Sequence, residues 1–209
     1  MTTLRTDYQY FSNIEWYKTL IDFKYLYFDE YENYRKMSFR NRLVIAGANG
    51  LISLSVPLID GRDQKRSMRE VQINNTTNWQ TLHWRSIVSC YNRSPWFEYY
   101  RGSLEIIYMQ KFDYLKDWNF ALFLWVRKQL GIEVEIVSDI EGFPDSDLVD
   151  IRDRWLPKNY TRAELVAGKP VKYSQVFEDK IGFQPNLSII DLLFCEGRAT
   201  LDLLIQSKI

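Results

Sequence analysis

The feature that most constrains this chain is a helix pattern that runs into a glycine and then into a strand pattern. Leu115, Trp118, Leu122, Val126 and Leu130 recur at helical spacing. Gly131 follows where a left-handed stop belongs. Ile132, Val134 and Ile136 then alternate with Glu133 and Glu135, the pattern of a half-exposed strand. A helix feeding a strand across one residue demands a layered α/β arrangement, because each element must bury its apolar face against the other.

The other periodic segments fit that scheme. Ser12-Asn13-Ile14-Glu15 has the form of a capping box, with Ser12 as N-cap, opening a helix over about 13–21. The aromatic run 23–28 reads as a strand. Leu43-Val44-Ile45 and the run 51–56 flank Gly47-Ala48-Asn49-Gly50, so a β-hairpin is expected across 43–56, with Asn-Gly in a type I′ turn. Residues 61–69 are polar and basic, a loop, and 70–73 alternate as a short further strand. Thr77-Asn78-Trp79-Gln80 is a second candidate capping box, opening a helix to about 91, and Ser94-Pro95 reads as N-cap and N1 of the next. Ser188 opens a C-terminal helix that Gly197 ends. Residues 141–172, with Pro144, Pro157, Gly168 and Pro170, are the least periodic and are expected to wrap or cap the rest. The expectation is one α/β domain over 1–209: a small mixed sheet with the hairpin and several packed helices.

Composition excludes several classes. With 209 residues, 46% of them hydrophobic, the chain is long enough for a large core and is not disordered. Lys+Arg and Asp+Glu both number 27, so a generic nucleic-acid binder is disfavoured. The longest apolar run, 120–126, is too short to span a bilayer, and the first residues carry no apolar signal region. Two cysteines, Cys90 and Cys195, are too few for a disulfide framework. A cytoplasmic protein is expected.

The balanced charge is unevenly placed. Residues 33–69 hold eight basic residues, Arg62 among them, against two acids; residues 133–153 hold eight acids against Arg152. Either these are two solvated or mutually attracting faces, or the first gathers guanidinium groups around an anionic ligand. Arg40 and Arg42 alternate around Asn41, and on an extended chain they share a face, a natural clamp for two oxygens of an anion. The competing reading pairs them with Asp29, Glu30 or Glu32. Arg69 closes the basic block.

No Walker loop, dinucleotide fingerprint, nucleophile elbow or C-x-x-C is present, so no motif names a cofactor. With a single histidine, no metal site is expected. His83 alone has an ordinary pKa suited to proton transfer near neutrality. It is either a base that meets the Arg40/Arg42 region or a histidine packed on an apolar helix face with Trp79 and Ile87.

An ordered set of strings resembles the WbqC-like protein family of bacteria. They are Ser38-Phe39-Arg40-Asn41-Arg42, Gly47-Ala48-Asn49-Gly50, Leu54-Ser55-Val56-Pro57, Val71-Gln72-Ile73-Asn74-Asn75, Trp79 through His83-Trp84 to Ile87, Ser94-Pro95-Trp96-Phe97-Glu98-Tyr99-Tyr100, and Asn186 through Asp191 to Phe194. The resemblance spans about 10–204 and is weakest over 142–169. Members occur among genes for O-antigen and other surface polysaccharides. The resemblance implies a transferase role there, including transfer of glycine to an amino sugar. Arg40, Asn41, Arg42, His83 and Glu98 match its motifs. Many members begin with a strand ending in His-Gln-Pro; here the matching stretch is Thr6-Asp7-Tyr8, without histidine or proline.

The expected function is therefore a transferase of surface-polysaccharide synthesis that takes a small anionic substrate, a nucleotide sugar or an acyl or aminoacyl donor. Arg40, Asn41, Arg42 and Arg69 would bind it, His83 would be the base, and Glu98 would orient His83 or pair with an arginine. The alternative is a non-catalytic binding or scaffold protein with a protein partner in the same pathway.

Overall fold

A computed structural model describes residues 2–61, 63–166 and 168–208. Arg62, counted in the basic block, lies outside the described residues. The architecture is α/β. Strands β1 (Thr3–Thr6), β2 (Tyr25–Phe28), β5 (Glu135–Val137) and β6 (Leu148–Asp150) form a four-stranded parallel sheet in the order β5-β2-β1-β6. β3 (Arg42–Gly47) and β4 (Gly50–Ser55) form a separate antiparallel hairpin, so the strands divide between two sheets.

Helix α1 (Ile14–Leu20) joins β1 to β2, and the two strands pair in parallel with Leu4 beside Leu26 and Thr6 beside Phe28. The period of two sends these four residues to one face. There Trp16 of α1 donates its Nε1–H to Thr6 Oγ1 at 2.8 Å. Phe28 packs on Trp16, Phe120 and Phe123. Helices α2 (Trp79–Tyr91), α3 (Phe97–Met109) and α4 (Leu115–Leu130) follow the hairpin. Gly131 ends α4 at φ 66°, as its position foretells, and the chain passes into β5, a shorter strand than the alternation suggests. The last helices are α5 (Glu178–Ile181), α6 (Ile189–Glu196) and α7 (Thr200–Gln206). α6 is buried from Ile189 to Cys195, as a helix apolar on every face should be; its buried acid, Asp191, accepts hydrogen bonds from Tyr91 and Tyr173 at 2.5 and 2.7 Å.

Several local expectations are corrected. The N-cap of α1 is Asn13 rather than Ser12: Asn13 Oδ1 accepts the Trp16 N–H at 2.9 Å. Asn78, not Thr77, precedes α2 and its side chain makes no capping bond. Helix α3 starts at Phe97, because the Ser94 hydroxyl turns back to the Tyr91 carbonyl instead of capping forward. The hairpin turn is not type I′. Ala48 and Asn49 both keep negative φ, and Gly50, paired with Gly47, takes φ 128° instead. Residues 70–73 make only isolated bridges, Leu58 with Ile73 and Gln72 with Tyr114, after a 3₁₀ turn over Met68–Glu70. The 141–172 segment does more than wrap: it supplies β6, and it buries Ile151, Trp155 and Tyr160 in the core. Among the described residues no helix is long and apolar enough to cross a membrane.

Candidate functional site

In an open parallel sheet, side chains that follow the carboxyl ends of the strands converge on one edge, the edge where such sheets bind ligands. Here that edge carries charge from three strands. Asp7 follows β1, Asp29 follows β2, and Arg152 and Asp153 follow β6. Asp29 bends the chain by accepting the backbone N–H groups of Tyr31 and Glu32 at 3.0 and 3.2 Å. It also accepts Arg5 at 2.5 Å and Arg152 at 2.6 Å.

Arg40 sits inside this edge with its side chain 1% exposed. Its Nε and Nη2 donate to Glu32 Oε1 at 3.0 and 2.7 Å, and its Nη1 to Asp153 Oδ1 at 2.6 Å. Asp7 Oδ2 lies 3.4 Å from Nη1. Arg35 adds a second bond to Asp153, at 2.7 Å, so the basic and acidic blocks of the sequence meet here. One buried guanidinium thus faces three carboxylates. Burial pushes Glu32 up to about 7; Arg40 opposes the rise and the charge of Asp7 adds to it. Asp7 is raised for the same reason, burial outweighing Arg40. At Asp153 burial is outweighed by Arg40 and Arg35, and its carboxyl lies below the usual range. The site therefore pairs a carboxyl that exchanges its proton near neutrality with carboxylates held in fixed geometry.

A second feature lies on the adjoining backbone. The chain around Arg66 and Arg69 pairs with residues 30–34 through Tyr34 N to Arg66 O, Met68 N to Glu32 O and Arg69 N to Glu30 O, at 2.8, 2.8 and 2.9 Å. Arg66, Arg69, Glu70, Gln72 and Tyr114 line a cavity of about 440 Å³ there, and Arg66 pairs with Asp60 at 2.7 Å. The Arg69 guanidinium lies over the Tyr31 ring at 5.4 Å.

The structure scatters the residues that the sequence proposes as one site. Arg40 is no free clamp: its donors are taken by Glu32, one of the acids the ion-pair alternative names, and by Asp153, which it does not. Arg42 stands half-buried at the start of β3 with Nε on Ser55 Oγ at 3.2 Å, so the two guanidiniums reach different partners. The chain before β3 bends rather than extends, and spacing by two no longer sets a common face. Asn41 locks the hairpin base, donating to the Val56 carbonyl at 2.9 Å and accepting the Tyr34 hydroxyl at 3.0 Å.

His83 is a core histidine. It is 6% exposed, stacks with Tyr10 and meets Trp79 edge-on. Burial holds it down to about 4, partly offset by a hydrogen bond to the Ser55 backbone. It is neutral at pH 7. Nδ1 shares a hydrogen bond with the Tyr10 hydroxyl at 3.0 Å, and that hydroxyl shares another with the Tyr108 hydroxyl at 2.7 Å. Glu98 does not orient His83: it is exposed and pairs with Arg101 at 3.1 Å. Of the proposed anion ligands, Arg69 lines a cavity.

Sequence reasoning missed Glu32 as a proton carrier and Asp153, and gave Asp7 no more than partial substitution for the family's histidine. Asp7 falls in the stretch matching the family's His-Gln-Pro, the one available signal. At that point Thr6, in the histidine's place, is buried and holds Trp16. Among the described residues no group of His, Cys, Asp and Glu is arranged to hold a metal ion. Neither a curated protein nor a solved structure matches the chain. A family model matches residues 9–164, including the segment where the resemblance is weakest and stopping short of Asn186 through Phe194. That match covers well over half of the chain, which therefore belongs to the WbqC-like protein family.

Proposed function

We propose that this protein is a transferase of surface-polysaccharide (O-antigen-like) biosynthesis, acting in the cytoplasm on an anionic activated sugar or an acyl or aminoacyl donor. The observation that carries the reading is a carboxyl titrating near neutrality, Glu32, at the carboxyl edge of a parallel sheet and one backbone strip from an arginine-lined cavity. Arg69 receives the donor's anionic group, with Arg66, held by Asp60, beside it. The acceptor's hydroxyl or amine attacks the donor carbon, its proton passes to Glu32, and the bond to the leaving phosphate or thiolate breaks as that group's charge settles on the arginines. Arg40 and Asp153 are positioning residues that fix Glu32. A base of this kind contributes about 10²–10⁴-fold.

The test is a thermal-shift panel of nucleotide sugars, acyl-CoA and aminoacyl donors, with and without Mg²⁺, followed by turnover with any hit. A ligand at about 100 times its Kd stabilises by roughly 2.7 kcal/mol, a rise of roughly 5–11 °C for a chain of this size. Arg69→Ala removes the shift; Glu32→Gln keeps the shift and lowers turnover at least 100-fold. A hit with full turnover in Glu32→Gln sinks the assignment. The non-catalytic reading has one observation in its favour, the buried Thr6 in place of the family's histidine. It predicts a donor-induced shift, or a stable complex with a pathway protein, and no turnover at any pH.

A further inference from the structure

A second cavity, of about 410 Å³, shares no residue with the strand-end site. It lies between the turn joining α2 to α3 and the segment leading into α5, and α6 contributes Cys195. Its volume falls within the roughly 300–1,000 Å³ typical of small-molecule sites. Pro95, Val176, Phe177 and Cys195 give it apolar walls. The Cys195 thiol is pushed up by burial and by the charge of Asp191, so it serves as wall rather than nucleophile. Arg93 lines the cavity from the helix turn and Lys180 from α5. Both are exposed, and among the described residues neither is engaged by an acid. Of the two acids that precede Lys180, Glu178 accepts the Gln175 backbone N–H at 3.3 Å and Asp179 is exposed.

The wall opposite the helix turn is held in place before any ligand arrives. Gln175 donates to the Tyr173 hydroxyl at 3.0 Å and to the Gln184 carbonyl at 2.8 Å, and accepts the Gln184 N–H at 2.7 Å. Tyr173 in turn is tied to buried Asp191 on α6. A wall fixed in this way spares a ligand the entropy of ordering it.

We propose that this cavity binds an anion carrying an apolar chain, a carboxylate or phosphate whose charge meets Arg93 and Lys180 while its chain lies on Pro95, Val176 and Phe177. Guanidinium groups take either head group in bidentate geometry, and two unpaired cations beside apolar walls favour a ligand with both features.

Calorimetric titration of the full chain with octanoate, octyl phosphate, octanol and inorganic phosphate tests this. Saturable binding is expected for octanoate or octyl phosphate, and whichever binds identifies the head group. Octanol and inorganic phosphate should each bind at least tenfold more weakly. Arg93→Ala with Lys180→Ala should weaken the binding at least tenfold with an unchanged melting temperature, because both side chains are exposed. Ser174→Trp, which fills the cavity from its rim, should abolish it. The proposal is overturned if neither amphiphile binds, if octanol or phosphate binds as tightly, or if either variant binds like the parent.

Discussion

Two buried polar clusters in this protein solve the same problem in opposite ways. At the strand ends, Arg40 keeps its charge and is surrounded by Glu32, Asp153 and Asp7. Between α2 and the hairpin, His83 gives up its charge and is satisfied by Tyr10 and the Ser55 backbone. A guanidinium cannot shed its proton in a protein, so its burial recruits carboxylates. An imidazole can, so burial makes it neutral and hydroxyls suffice. The consequence for function is an inversion of what residue type suggests. The histidine is removed from proton exchange at neutral pH, while a glutamate is brought into it.

The largest expected effect comes from breaking the first cluster. Arg40→Met leaves three carboxylates without their common partner and should destabilise by about 3–5 kcal/mol in urea denaturation. Arg40→Lys should recover only part of this, since an ammonium cannot make the paired contacts of Nε and Nη2 with Glu32. A loss below about 1 kcal/mol for Arg40→Met would mean that the carboxylates simply take up protons and the network holds nothing in place.

The pH dependence of stability separates the clusters by sign. Glu32 binds its proton more tightly folded than unfolded, so its contribution is fully present below its ordinary pKa near 4.5 and is lost as pH rises through about 7. His83 binds its proton less tightly folded, so its contribution is present above its ordinary pKa near 6.5 and is lost as pH falls through about 4. Between about pH 4.5 and 6.5 the two slopes oppose each other. Relative to the parent, Glu32→Gln should become more stable as pH rises from 4.5 to 7, and His83→Gln should become less stable as pH rises from 4 to 6.5. Each difference should span about 1–3 kcal/mol. Parallel curves for either variant would remove its residue from this account.

A smaller effect probes the second cluster alone. Tyr10→Phe removes the hydroxyl between His83 and Tyr108 and leaves the imidazole Nδ1 without its partner, for about 1–2 kcal/mol. Donor binding and turnover should be unchanged, because the cluster takes no part in the proposed chemistry.

What the sequence discloses and what it hides divide along the same line. The helix, Gly131 and the strand after it are legible because period and stop signal are local, and so are the hairpin and α6. The capping residues shift by one because adjacent polar residues compete and distant bonds decide. Ser12 gives its carbonyl to Ile189, which leaves Asn13 to cap. Strands β1 and β6 hold only 4 and 3 residues, too few for a period, and their parallel pairing is non-local. The site is hidden for that reason as well: Asp153 lies 113 positions from Arg40, and only the sheet brings them together. His83 and Glu98 stand out by residue type and motif, and only the helical spacing of His83 with Trp79 and Ile87 points to burial.

Glu98 gives the smallest and sharpest comparison with the strand-end acids. Its carboxylate is 68% exposed and its partner Arg101 lies three residues along the same helix. Exposed pairs of this kind are screened and worth little, so Glu98→Ala should change stability by less than about 0.5 kcal/mol. If Glu98 oriented a catalytic His83, the same variant would lower turnover and move its pH profile while leaving stability alone. The geometry instead expects Glu98→Ala to match the parent in both, with Glu32→Gln alone shifting the profile. A turnover loss in Glu98→Ala at unchanged stability would return the active centre to α2 and α3 and take it away from the strand ends.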